Sequence, residues 1–148
     1  MIGLRFRWFG KKNMTAEEFE RLRPRAAKAL LKAALHFESA VKKTLTGTRT
    51  GRLYYIARLG RMHRASAPGE PPATLTGRLR QSITHSEIQS DGENVWINVG
   101  TDVPYGKILE FGGVTSDGIR ILPRPYMAAT FLREEDRISK ILEEATKS

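Results

Sequence analysis

The sequence predicts an α+β domain, in which a small antiparallel sheet is packed on one face by a long helix of the N-terminal half and by a C-terminal helix. Three observations support this fold class. An alternating strand pattern opens the chain, a long helical stripe follows it, and an Asp-Gly hairpin signal lies in the second half. Strands that neighbour one another in sequence favour an antiparallel sheet over parallel βαβ units. The 148 residues are expected to form one domain, residues 1–148, with an extended basic arm at about 48–75.

The first eight residues after Met1 alternate between apolar and other side chains. Residues 2–9 place one set of apolar side chains on a single face of a strand and put Arg5 and Arg7 on the other. The apolar set is Ile2, Leu4, Phe6 and Trp8. A half-buried strand is therefore predicted at 2–9.

A long helix is predicted next. Thr15 followed by Glu18 is a capping-box pattern, so the helix should begin at Ala16. Apolar residues recur at helical spacing over 27–45, and Gly47 is a suitable terminator. Pro24 cannot donate the helical hydrogen bond, which predicts a kink or a second helix start there.

The arm lacks the period of a long element. Leu53–Ile56 is predicted to form one short strand and Met62–Ala65 another, with a turn at Leu59-Gly60. Prolines at 68, 71 and 72 then fix φ and remove backbone donors, so this part should be extended. Such a segment is too strongly punctuated for a helix and too specific for a flexible linker, and it favours a surface that lies against a partner.

The second half begins with a short helix and a hairpin. Thr76 is expected to cap a one-turn helix that runs through Ser82. Two strands should follow, Ile83–Gln89 and Val95–Gly100, joined by the Asp-Gly turn at 90–93.

A further helix pair is predicted near the C-terminus. A short helix should lie between Pro104 and Gly112, followed by a last strand at Ile119–Leu122. Pro123-Arg124-Pro125 then begins the C-terminal helix, whose apolar side is Met127, Phe131, Ile138, Ile141 and Leu142.

Charge is unevenly distributed along the chain. Residues 1–80 carry a net charge of +13 and residues 81–148 a net charge of −4. The candidate residues for contact with DNA or a neighbouring subunit are the cations at the helix end and along the arm: Lys42, Lys43, Arg49, Arg52, Arg58, Arg61 and Arg64. They could follow a phosphate backbone without reading sequence, or pair with carboxylates of a neighbouring copy, and the residues alone leave both open.

No pattern for chemistry accompanies these charges. The histidines at 36, 63 and 85 lack ligand spacing, no nucleophile elbow or phosphate loop is present, and the chain has no cysteine. We therefore expect no enzyme, no catalytic residue, no metal and no cofactor. The longest apolar runs fall short of the ~18 residues of a membrane span, so no membrane partner is expected either. The absence of cysteine fits synthesis in a reducing cytoplasm.

Several motifs together resemble a known family. They are Ser66-Ala67-Pro68-Gly69-Glu70-Pro71-Pro72, Thr76-Gly77-Arg78-Leu79, Val103-Pro104-Tyr105, Leu109-Glu110-Phe111-Gly112 and Pro123-Arg124-Pro125-Tyr126-Met127. Over about residues 25–135 the chain resembles the neck or tail-completion proteins, which join head to tail in long-tailed double-stranded DNA phages. Leu75 departs from that pattern, because a polar residue is expected there.

The resemblance implies a structural virion protein of the neck. Copies would form a ring of six or twelve subunits around the DNA channel, between the head-closure (connector) protein and the tail terminator protein. DNA in the channel would be contacted without sequence specificity. Tyr105, Leu109 and Phe111 would be a packing motif that fixes the short helix on the sheet. The alternative is a free-standing, nonspecific double-stranded DNA-binding protein.

Overall fold

The computed structural model describes residues 2–144 and 147, and it has the predicted α+β architecture. Strand β1 spans Ile2–Phe9 and helix α1 spans Ala16–Thr44. The capping box is present, because Thr15 accepts from the Glu18 N–H at 3.2 Å while the Glu18 carboxylate accepts from the Thr15 N–H at 2.8 Å. Helix α1 continues through Pro24 as one element, so the predicted alternative of a second start is wrong.

The arm contains a small hairpin. Strand β2 (Leu53–Ile56) pairs antiparallel with β3 (Arg61–Arg64), and a short 3-10 turn over Ala57–Leu59 joins them. Gly60 completes the turn with a left-handed φ of 61°. The two predicted strands and their turn are confirmed.

Helix α2 spans Arg78–Ser82 and is followed by three strand segments: β4 (Thr84–His85), β5 (Gln89–Ser90) and β6 (Asn94–Thr101). The predicted continuous strand over Ile83–Gln89 is wrong. From the pair His85↔Val99 to the pair Gln89↔Trp96, one strand advances four residues and the other three. One extra residue therefore makes a bulge that divides the strand. Gly77, rather than the predicted Thr76, occupies the cap position of α2.

The last elements are helix α3 (Gly106–Phe111), strands β7 (Gly113–Val114) and β8 (Arg120–Ile121), and helix α4 (Met127–Glu143). Strands β7 and β8 form a second small hairpin, which extends the single strand that was predicted at Ile119–Leu122. The apolar side predicted for α4 does face the core, with Met127, Ile138 and Ile141 buried.

The main sheet has the order β1-β6-β4, with β5 also pairing β6, and β1 is its edge. Helix α1 packs on one face of the sheet and α4 packs on α1. Fully buried side chains from α1 and β6 form the centre of the core, and two aromatic rings, Phe6 and Phe37, meet edge to face with centroids 5.5 Å apart. The opposite face of the sheet carries Arg5 and Arg7, as the alternation predicted, and it has no helix on it.

Candidate assembly interface

The β2–β3 hairpin presents apolar side chains to solvent. Its exposed large apolar residues, each 38–61% exposed, are Leu53, Tyr54, Tyr55, Leu59 and Met62. Both strands make their main contacts with each other rather than with the rest of the molecule. Leu53, Tyr55 and Met62 share one face of the hairpin, because Tyr55 is paired with Met62, whereas Tyr54 lies on the other face against His63. A two-stranded hairpin is marginally stable by itself in water, and exposed apolar patches are typical of interaction sites.

The base of the arm is held to the body by backbone contacts. The Gly51 N–H donates to the Ala65 carbonyl at 2.9 Å, and the Gly69 N–H donates to the Pro123 carbonyl at 3.3 Å. A Cβ on Gly51 would lie 2.4 Å from the Ala65 oxygen, so this close approach requires glycine. Arg124 adds a bond from Nη2 to the Ser66 carbonyl at 3.3 Å. The root of the arm is therefore fixed while its tip is free.

Glu70 closes the arm at its root. Its carboxylate accepts from the Thr50 hydroxyl, from the Ala67 N–H at 2.9 Å and from the Thr50 N–H at 3.0 Å. These three bonds favour the charged form and lower the pKa of Glu70 to about 2. The carboxylate thus joins the two chain segments on either side of the hairpin.

Four of the seven predicted cations already have partners within the chain. Arg49 is half-buried, and its burial lowers its pKa. Its Nη2 donates to the Thr44 carbonyl at 2.7 Å, and its Nε and Nη2 both donate to the Pro72 carbonyl. Arg61 and Arg64 donate to the carbonyls of Leu75 (2.7 Å) and Gly51 (3.0 Å). Their guanidinium groups hold the arm in place, which sequence spacing could not reveal.

Lys42 forms an ion pair with Glu38 at 2.6 Å, and Glu38 also meets His85 at 2.7 Å. The three remaining predicted cations, Lys43, Arg52 and Arg58, are exposed. Within the described residues they have no ion pair or side-chain hydrogen bond. Contact of these three with DNA or with a neighbouring subunit stays a prediction.

The predicted packing motif is wrong in two of its three members. Leu109 is partly buried and packs against the core, but Tyr105 is exposed and Phe111 is 66% exposed. Helix α3 is fixed instead by Glu110, a buried carboxylate that accepts from three successive N–H groups at the start of α4. The apolar residues around Glu110 suggested that Phe111 would be buried. In the structure the Glu110 carboxylate is buried instead, and Phe111 is exposed.

Phe111 belongs to a second exposed apolar surface, which we call the hairpin patch. Its members are Phe111, Val114, Ile119 and Leu122, all on or beside the β7–β8 hairpin. The arm and the hairpin patch are made of different residues. The single chain therefore presents two distinct apolar surfaces.

Within residues 2–144 and 147, no group of His, Cys, Asp and Glu is arranged to hold a metal ion. The histidines have other contacts: His36 meets Glu134 at 2.7 Å, and His63 stacks edge to face on Tyr54. None of the helices in the described part of the chain is long and apolar enough to cross a membrane.

These features define the chain as a small α+β domain whose β2–β3 hairpin exposes apolar side chains to solvent. A family model described as "Bacteriophage HK97-gp10, putative tail-component" matches residues 11–112, which is more than half of the chain. The chain therefore belongs to the HK97-gp10-like family of phage tail components, and a tail component is part of the virion. Comparisons with curated proteins and with solved structures gave no match. The matched range includes α1, the arm and α3, whereas β1 and α4 lie outside it.

Proposed function

We propose that this tail component is a structural protein of the phage neck, without catalysis, that forms a ring at the head–tail junction. The observation that carries the proposal is the arm: a hairpin that is fixed at its root and exposes apolar side chains to solvent. In the proposed ring, six or twelve copies surround the DNA channel between the head-closure and tail terminator proteins.

The arm of one copy is proposed to pack on the hairpin patch of the next. Both surfaces are apolar, exposed and different from each other, so pairing them is a head-to-tail contact. Head-to-tail contacts form a ring when the rotation between neighbours closes, and an open filament when it does not. Charge opposes contact between two arms. The chain has no acidic residue between Glu38 and Glu70, whereas the second half has a net charge of −4, so the arm is better matched to the second half of a neighbouring copy.

The alternative, a free-standing nonspecific DNA-binding protein whose arm lies on the duplex, is less well supported. Arg49, Arg61 and Arg64 are bonded to carbonyl groups of their own chain, and Lys42 is paired with Glu38. The arm therefore offers few free cations for phosphates, and its exposed side chains are largely apolar.

The arrangement can be tested with complementary variants. Tyr55→Ser/Met62→Ser alters the arm, Val114→Ser/Ile119→Ser alters the hairpin patch, and Leu132→Ser is a matched control at an exposed apolar residue of α4. Native mass spectrometry should show rings for wild type and for the control, and monomers for each double variant alone. An equal mixture of the two double variants retains one intact arm and one intact patch, and should form dimers.

Two results would contradict the proposal. Rings formed by the arm variant would show that the arm is not the interface. The proposed role would also be wrong if two results were obtained together: wild type stays monomeric at every concentration, and the arm variant joins heads to tails normally in a complementation assay.

A further inference from the structure

The face of the main sheet opposite the helices carries an ordered group of cationic and aromatic side chains. Arg7 is paired across the strands with Trp96, and Arg5 with Asn98. The guanidinium carbons of Arg5 and Arg7 lie 5.6 and 6.0 Å from the centroid of the same Trp96 ring. Arg7 is also 5.5 Å from the ring of Phe9. We call these four residues, Arg5, Arg7, Phe9 and Trp96, the arginine–tryptophan face.

The ring and the cations are held in position. The Trp96 indole N–H donates to the Gln89 side-chain oxygen at 2.6 Å, and the Arg5 Nε–H donates to the Asn98 side-chain oxygen at 2.9 Å. Both terminal nitrogens of Arg5 remain free of these bonds. Stacking on an aromatic ring also limits the motion of a guanidinium, so less conformational freedom is lost when it binds a ligand.

Two like charges stacked on one ring repel each other unless an anion joins them. Among the described residues, neither Arg5 nor Arg7 forms an ion pair with a carboxylate, in contrast to Lys42 at the end of α1. Both arginines are exposed. Water and counter-ions screen these two charges in the isolated chain, so both guanidinium groups are available to an anionic partner.

The surface beside Arg5 is open to a broad ligand. Gly3 and Gly100 face each other across β1 and β6, and a depression of about 410 Å³ lies over this part of the sheet, lined by Gly3, Leu4, Arg5, Asn98 and Val99. The depression leaves the side of Arg5 that faces it accessible to a ligand.

We infer that the arginine–tryptophan face binds the phosphate backbone of double-stranded DNA. Guanidinium groups match phosphate in geometry and charge. Alternate residues on a strand are about 6.8 Å apart, a step close to that between successive phosphates of one DNA strand. The choice of DNA as the anion rests on the proposed function, in which the ring surrounds the DNA channel. The site itself lies partly on β1, outside the range that the family model matches.

The test measures binding of the full chain to a short labelled DNA duplex by fluorescence anisotropy across a range of NaCl concentrations. Arg5→Gln/Arg7→Gln is compared with Arg21→Gln/Arg137→Gln, which removes the same charge from exposed positions of α1 and α4. Loss of two phosphate contacts should lower the slope of log K against log [salt] by about 1.8 and weaken binding about tenfold or more at 0.1 M salt. The helix variant should keep the wild-type slope.

A third variant separates geometry from charge. Arg5→Lys/Arg7→Lys keeps both charges but loses the planar groups that stack on Trp96, so it should bind more weakly than wild type with a nearly unchanged slope. This conservative variant also keeps the test decisive if the glutamine variant fails to fold.

Equal loss of slope in the Gln variants of the sheet and the helices would overturn the inference, because it would indicate diffuse attraction to a basic protein. The inference would also be wrong if Arg5→Gln/Arg7→Gln lost its rings but kept its DNA binding. That result would indicate that this face contacts an acidic protein surface instead of DNA. Ring formation is measured on the same samples. Absence of rings in wild type would therefore count against the proposed function and leave the DNA measurement interpretable.

Discussion

The carboxylate of Glu110 accepts a hydrogen bond of 2.8 Å from the backbone N–H of Tyr126, which joins α3 to the start of α4. The same carboxylate accepts from the N–H groups of Met127 at 2.9 Å and Ala128 at 2.8 Å. In return, the Tyr126 hydroxyl donates to the Gly106 carbonyl at 3.0 Å. Burial, followed by the nearby Glu110 charge, raises the pKa of Tyr126, so the hydroxyl stays protonated and able to donate.

Removal of this carboxylate should destabilise the domain strongly. Glu110→Ala leaves three N–H groups without their acceptor in a region closed to water, and we expect the free energy of unfolding to fall by about 3 kcal/mol. Urea denaturation measures the change. Glu110→Gln retains one acceptor and should lose less. Glu135→Ala, at an exposed site of α4, should stay within about 0.5 kcal/mol of wild type, and an equally small effect for Glu110→Ala would contradict the capping role.

Phe111 and Phe37 should respond in opposite ways to truncation. Phe37 is fully buried, so Phe37→Ala should cost about 3–5 kcal/mol. Phe111 is largely exposed, so Phe111→Ala should change the stability of the monomer by less than about 0.5 kcal/mol. Thermal denaturation of dilute protein compares the two. A large loss for Phe111→Ala in the monomer would mean that the side chain is buried after all.

Gly3 should be intolerant of any side chain. A Cβ at this position would lie 1.8 Å from the Val99 carbonyl oxygen, so Gly3→Ala forces β1 away from β6. We expect a loss of about 2–3 kcal/mol in urea denaturation. Gly10→Ala makes the same chemical change just after the end of β1, where the nearest atom would be the flexible Met14 sulfur at 3.3 Å, and it should be nearly neutral. Equal effects for both variants would argue against the close approach.

The arm root should loosen in acid. The pKa of Glu70 is lowered to about 2, below the usual 4.5, so its bonds contribute fully above about pH 4.5 and are lost as the pH falls through about 2. The amide protons of Thr50 and Ala67, followed by NMR, should lose protection over that interval while the core amides keep theirs.

Glu70→Gln should expose the Thr50 and Ala67 amides to exchange at neutral pH. Glu18→Gln is the matched control, since Glu18 is also a carboxylate with a lowered pKa but caps α1 instead of the arm. Protection of Thr50 that persists at neutral pH in Glu70→Gln would show that other contacts hold the root.

The sequence was most informative where a local interaction determines the structure. The Thr15–Glu18 capping box predicted the start of α1 to the residue, because both partners lie within one turn of helix. The alternation of β1 predicted which face of the strand lies toward the core, because side-chain alternation is also a local property of the backbone. The bulge near His85 was not predictable, since it depends on the register against β6.

The role of Glu110 depends on a partner sixteen residues away, so its own neighbours could not reveal it. One signal was available: the residues before α4, Pro123-Arg124-Pro125-Tyr126, include none of the usual capping side chains. A helix that begins without its own cap needs an acceptor from elsewhere. The contacts of the arm cations within the chain could not be predicted for a similar reason, because backbone carbonyls, which bind Arg49 and Arg61, leave no mark in a sequence.

The absence of any acidic residue between Glu38 and Glu70 has a consequence for symmetry. If two copies met arm to arm about a two-fold axis, each cation would approach its own equivalent, and the repulsion would oppose a closed dimer. Because arms do not pair with each other, each contact joins the arm of one copy to a different surface of the next copy. All contacts in such a ring therefore point the same way around its circumference. Because the charge of the arm contributes to each contact, ring assembly should weaken as salt is added.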